Sequence, residues 1–74
     1  MIIPQNLQKG QKLQIELRKV NDRLPSDVLE KLSAYPYGIW MGEYKMVDGN
    51  AFGLILELFD GSKMWFFEEE LSEE

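Results

Sequence analysis

Four serines, Ser26, Ser33, Ser62 and Ser72, and thirteen carboxylates are the groups with which this 74-residue chain could attempt nucleophilic or acid–base chemistry. A serine hydroxyl becomes a useful nucleophile beside a base, and the chain contains no histidine to act as one. It contains no cysteine either, which removes thiolate nucleophiles, thiolate metal sites and disulfides together. Carboxylates alone can hold Ca²⁺ or Mg²⁺, but no loop spaces Asp and Glu as an EF-hand requires, and no glycine-rich loop is present to cradle a phosphate. The chemistry on offer is recognition. The expectation is a protein that is not an enzyme and that takes no metal, nucleotide or redox cofactor.

Recognition residues are distributed unevenly. Residues 1 to 25 hold five cations, Lys9, Lys12, Arg18, Lys19 and Arg23, against Glu16 and Asp22, while residues 26 to 74 hold three lysines against eleven acids. A molecule with a basic side and an acidic side docks in a preferred orientation on a charged surface. Eleven acids outside the basic stretch weaken affinity for polyanions, so nucleic acid is not an expected partner. Tyr35, Tyr37 and Trp40 lie close in sequence and could line a proline-peptide groove, although Pro36 filling a gap between rings is the preferred reading.

These side chains need a frame, and residues 44 to 67 supply it by reading as strand, turn, strand, tight turn, strand. Phe52, Leu54, Leu56 and Leu58 recur at every second position, the period of a strand with one buried face. Asp60-Gly61 suits a two-residue primed turn, which would pair Leu58 with Lys63, Leu56 with Trp65 and Leu54 with Phe67. Ile55, Phe59, Met64 and Phe66 would then share the opposite face, either covered by the Ile2-Ile3 arm or the 20–36 excursion or left as an apolar docking patch, with Lys12, Arg18, Lys19 and Arg23 orienting approach to the partner. A three-residue loop with Gly61 in the left-handed region slips the register by one and puts Met64 and Phe66 inside. The two-residue turn is the preferred reading.

In chain order, residues 1 to 8 read as a flexible arm and residues 9 to 71 as a single domain, followed by a frayed acidic tail over 72 to 74. Leu13, Ile15 and Leu17 alternate with polar residues as strand one. Residues 20 to 36 form a long excursion with one or two helical turns after Leu24-Pro25-Ser26-Asp27, where Ser26 can cap. Strand two opens at Gly38 with Ile39 and Met41 inward and Trp40 and Tyr44 outward; Gly38 and Gly42 mark bulges or bends. Val47-Asp48-Gly49-Asn50 turns the chain, and residues 67 to 71 make a helical turn whose Leu71 covers one end. The sum is an all-β fold, a small SH3-like barrel of about five antiparallel strands with a long first connection that contains a short helical turn. Its expected core includes Leu13, Ile15, Leu17, Ile39, Leu54, Leu56, Leu58, Trp65 and Phe67. No window approaches the roughly 20 apolar residues of a membrane-spanning helix, so the chain reads as soluble or peripheral.

Gly10-Gln11-Lys12-Leu13, Asn21-Asp22-Arg23-Leu24, Glu30-Lys31-Leu32, Tyr44-Lys45-Met46-Val47-Asp48-Gly49 and Trp65-Phe66-Phe67-Glu68-Glu69-Glu70-Leu71 resemble, in order and spacing, the small cyanobacterial PetP family. The likeness covers roughly residues 9 to 71, and its most specific stretches are the YKM-x-DG and WFF-x-x-EL runs. Ser33-Ala34-Tyr35-Pro36-Tyr37 departs from the glycine-containing turn of that pattern, and the arm before Lys9 is additional. The resemblance implies a non-catalytic peripheral subunit of the cytochrome b6f complex, located on the cytoplasmic side of the thylakoid membrane, that stabilises the complex or modulates its electron transfer. Its implied partners are subunits of that complex, with anionic lipid headgroups as a further contact, and the free protein is expected to be a monomer. The alternative is an SH3-like docking module for a soluble redox carrier such as ferredoxin. That carrier is acidic, so the alternative requires the N-terminal cations to converge on one face.

Overall fold

The computed structural model describes residues 2–47, 49 and 51–73. Leu13 and Ile15 are fully buried and Gln14 between them is exposed, so Lys12–Ile15 forms strand β1 with one wet face. The alternation expected to run on through Leu17 stops there, and Leu17–Val20 makes one helical turn, α1, that buries Val20. Helix α2, Ser26–Ala34, is longer than the turn or two expected; it buries Leu32 and packs Val28 and Leu29 against the core beside it. Asp27 sits in its first turn, where negative charge suits the exposed N–H groups. Ser26 is the first helical residue and makes no capping hydrogen bond, because extended Pro25 precedes it in the cap position. At the other end Tyr35, held before Pro36, is extended and stops the helix.

Four further strands follow: β2, Tyr37–Val47; β3, Ala51–Leu58; β4, Lys63–Phe66; and β5, Leu71–Glu73, the last preceded by a 3-10 turn at Glu68–Glu70. All pairings are antiparallel in one sheet of order β4-β3-β2-β1-β5. This is the SH3-like arrangement expected, a meander of β2, β3 and β4 with a last strand that returns beside β1 after a single 3-10 turn. β4 and β5 are the two ends of the ladder, so the barrel curls without closing through hydrogen bonds. Gly42, with φ of 83°, lies where the β2–β3 register shifts between Trp40 and Tyr44, the bulge that its position suggested. Gly38 meets a different demand, since a Cβ there would come within 2.9 Å of Leu56 Cβ. The expected turn over residues 47 to 50 falls partly outside the described residues; Gly49 has φ of 70°, and Val47 stands opposite Ala51.

Both termini differ from the sequence expectation. Ile2 is buried in the core, its N–H donating to Glu68 C=O at 3.3 Å, and Leu7 packs against the same core. Packing an isoleucine and a leucine onto the core of so small a domain removes their apolar surface from water, and this opposes fraying of the arm. At the other terminus Ser72 and Glu73, expected to fray, pair with Gln14 and Leu13 of β1. Met1 and Glu74 lie outside the described residues.

The core corrects several assignments. Leu13, Ile15, Leu54, Leu56 and Leu58 are buried as expected, whereas Leu17, Ile39, Trp65 and Phe67 are only partly buried. Trp40 and Phe66 take the inner positions. Trp40 pairs directly with Leu56, which fixes its side chain on the leucine face, and its indole N–H donates to Glu43 C=O at 3.1 Å.

Candidate docking surface

The β3–β4 turn decides which side chains reach the surface. Leu58 N–H donates to Ser62 C=O at 2.8 Å, Gly61 N–H donates to Leu58 C=O at 2.9 Å, and Gly61 has φ of 87°. Phe59-Asp60-Gly61 is therefore a three-residue loop ending in a left-handed glycine, and the pairs are Glu57 with Lys63, Leu56 with Met64, Ile55 with Trp65 and Leu54 with Phe66. The two-residue turn is overturned, and with it the placement of Phe66 on an outer patch. The cause lies in the Asp60 side chain. Its Oδ1 accepts from Ser62 N–H at 3.0 Å and from Ser62 Oγ–H at 2.6 Å, and its Oδ2 accepts from Lys31 of α2 at 2.8 Å. A side chain that closes its own loop and ties it to a helix favours the longer loop over the bare primed turn. Lys31 first, then Ser62, holds the Asp60 carboxyl far below the usual carboxylate range.

This register sorts the expected docking residues. Phe66 is fully buried, and Met64 is half-buried with its side chain packed against the core. Ile55 lies on the outer face opposite Trp65, and Phe59 is exposed at the loop, its ring 6.0 Å from that of Tyr35. Trp65 occupies outer-face space left by Gly53, where a Cβ would come within 2.8 Å of the indole. Arg23 stacks over that indole at 4.4 Å and makes a bidentate pair with Glu70, Nε to Oε2 at 2.7 Å and Nη2 to Oε1. Glu70 is itself buried and also accepts Phe67 N–H at 2.9 Å, so its carboxylate joins the 20–36 excursion to the 3-10 turn.

The remaining cations go to separate places. Lys19 approaches Glu16 at 3.5 Å and donates to Glu69 C=O at 3.1 Å. Lys12 stands over the rings of Tyr37 and Tyr35, at 4.5 and 5.3 Å. Lys9 lies against Gly42, and Arg18 is exposed beside Pro36. Lys19 and Arg23 are thus matched by the chain's own acids. Tyr35 and Tyr37, 5.0 Å apart, do come together with Lys12 and Phe59 around a shallow cleft of about 250 Å³, but Trp40 is buried elsewhere and takes no part.

A second apolar area was missed. Tyr44, Met46 and Phe52 are exposed at the far end of the β2–β3 hairpin, on the same face as the buried leucines, because Tyr44 pairs with Leu54 and Met46 with Phe52. Tyr44 and Phe52 border a cleft of about 390 Å³ that Leu54 and Glu68 also line. The signal was strand length. β2 and β3 run 11 and 8 residues, whereas β1 and β4 have 4 each, so the hairpin must project past its neighbours.

Among the described residues no cluster of side chains could hold a metal ion, and no helix is long and apolar enough to cross a membrane. The model of the family described as "Cytochrome b6f, subunit Tsr0524-like" matches residues 10–72, in agreement with the PetP likeness. A comparison with curated proteins gives no match.

Proposed function

Since the chain belongs to the Tsr0524-like family of cytochrome b6f subunits, and so to photosynthetic electron transport, we propose that it is a non-catalytic peripheral subunit on the cytoplasmic face of the thylakoid membrane that modulates electron transfer through the complex. The observation that carries this reading is the extent of the match, which runs from Gly10 into β5 and takes in β1 to β4 whole. A domain of this size with apolar side chains left at its surface is suited to bind a larger assembly and to act through contact. The ferredoxin-docking alternative loses support, because Lys19 and Arg23 face Glu16 and Glu70 of the same chain.

Cross-linking in thylakoid membranes tests the placement. Peptides of this chain should be joined to cytoplasmic loops of cytochrome b6f subunits; links confined to lumenal segments, or to other complexes, would overturn it. The regulatory part is tested by the rate of cytochrome f re-reduction after a flash, in membranes lacking the chain and after adding it back. A rate that is the same in both cases removes modulation from the proposal.

A further inference from the structure

The projecting end of the β2–β3 hairpin has an open backbone edge as well as an apolar face. Among the described residues, β1 and the segment before it pair with β2 only as far as Trp40, whose N–H donates to Gln11 C=O at 2.9 Å and whose C=O accepts from Gly10 N–H at 2.8 Å. Trp40 stands opposite Leu56, and residues opposite one another in an antiparallel pair alternate between exchanging both hydrogen bonds and directing both groups outward. Leu56 and Leu54 have the same parity on β3, as does Phe52. Tyr44 and Met46, opposite Leu54 and Phe52, therefore aim their N–H and C=O groups outward as Trp40 does, but beyond the Gly42 bulge no strand among the described residues meets them.

We infer that the Tyr44–Met46 edge of β2 accepts an added strand, supplied by an extended segment of a cytochrome b6f subunit that carries apolar residues at alternate positions and a basic residue beside Glu68. The inference rests on the proposed function for the identity of the partner. The backbone determines the kind of occupant, because an outward row of donors and acceptors is matched in register by another extended chain. Side chains determine its pattern. Tyr44, Met46 and Phe52 lie on one face, so every second residue of the added strand lies beside Tyr44 and Met46, with Phe52 extending the apolar face behind them, while Lys45 points to the other face with Gly53. Glu68 on the cleft wall sets the charge, favouring a lysine or arginine and disfavouring an anionic lipid headgroup.

Amide hydrogen exchange on the full chain, free and bound to purified cytochrome b6f complex, tests this. Tyr44 and Met46 N–H should exchange fast in the free protein and become protected on binding, while Lys45 N–H, already directed at β3, changes little. Met46→Pro removes one outward N–H and leaves the β3 ladder intact; Phe52→Ser removes apolar surface. Each should weaken binding about tenfold or more, with a circular dichroism spectrum like that of the wild type. Wild-type protein that binds the complex while Tyr44 and Met46 exchange as in the free state overturns the inference alone. Wild-type protein that does not bind the complex overturns the proposed function and this inference with it. Protection that arises through a concentration-dependent dimer assigns the edge to a second copy, and protection by protein-free phosphatidylglycerol vesicles assigns it to lipid; either result overturns the inference.

Discussion

The two halves of the β2–β3 ribbon are built alike and end differently. Near the β3–β4 turn, Trp40, Leu56 and Leu58 point into the barrel and are buried; toward residues 47 and 51, Tyr44, Met46 and Phe52 continue the same face and are exposed. The residue classes are the same in both halves. What differs is coverage, since the ladder pairing of β1 with β2 stops short of Tyr44, and that of β4 with β3 ends at Leu54, short of Phe52. Strand alternation thus states which face a side chain takes, and the lengths of the neighbouring strands state whether anything covers it.

The sharpest way to break this comparison is to truncate one side chain in each half. Leu56 is fully buried and touches the Gly38 backbone, so Leu56→Ala should cost roughly 2–5 kcal/mol, enough to unfold much of a domain this small. Phe52→Ala removes a larger group from the same strand face and should change stability by only about 0.5 kcal/mol. Urea titrations measure both. Comparable losses from the two variants would mean that the far half is covered in solution.

What could be read from the sequence follows from the same distinction. The leucine alternation of β3, the in–out pattern of β1, the helix entry near Ser26 and the stop at Tyr35-Pro36 are local, and each was legible. Asp60-Gly61 located the turn, but its length depended on a partner 29 positions away, Lys31, which no short-range rule brings to Asp60. That one residue of register moved Phe66 inward, Trp65 outward and dissolved the expected patch of Ile55, Phe59, Met64 and Phe66. Nothing in the sequence around Glu70 marks it for burial, and only the return of the excursion brings Arg23 to it across 47 positions. The projecting hairpin follows from strand lengths, and the shortness of β1, whose alternation stops at Ile15, and of β4 shows only in the structure.

Glu70 offers a sharper test of what holds the covered half together. Glu70→Ala leaves the Arg23 guanidinium and Phe67 N–H without their acceptor, and should cost about 1–3 kcal/mol. The loss is smaller than for a fully enclosed ion pair because Arg23 keeps contact with water. Glu70→Gln retains an acceptor for Phe67 N–H and should recover part of the difference. Trp65 fluorescence should shift in both variants as the stacked guanidinium is released. An unshifted spectrum with unchanged urea midpoints would show that the ion pair does not anchor the excursion.

The smallest expected effect comes from acid, and it also falls on the covered half. Lys31 and Ser62 hold the Asp60 carboxyl below its ordinary range in the folded protein, while in the unfolded chain it titrates near about 3.9. Between those two values the unfolded state binds the proton and the folded state does not, so this contribution to stability is complete above about pH 4 and declines as the pH falls further. Asp60 is solvent-exposed, and water and salt screen the contribution. Asp60→Asn should lower the urea midpoint at neutral pH, and the gap from the wild type should narrow from about pH 4 toward about pH 2. Hydrogen exchange would place the loosening at Gly61 N–H and the facing end of α2, with Tyr44 and Met46 N–H unaffected because they are open already. A gap that stays constant across that pH range would show that the carboxylate charge has no part in setting the three-residue loop.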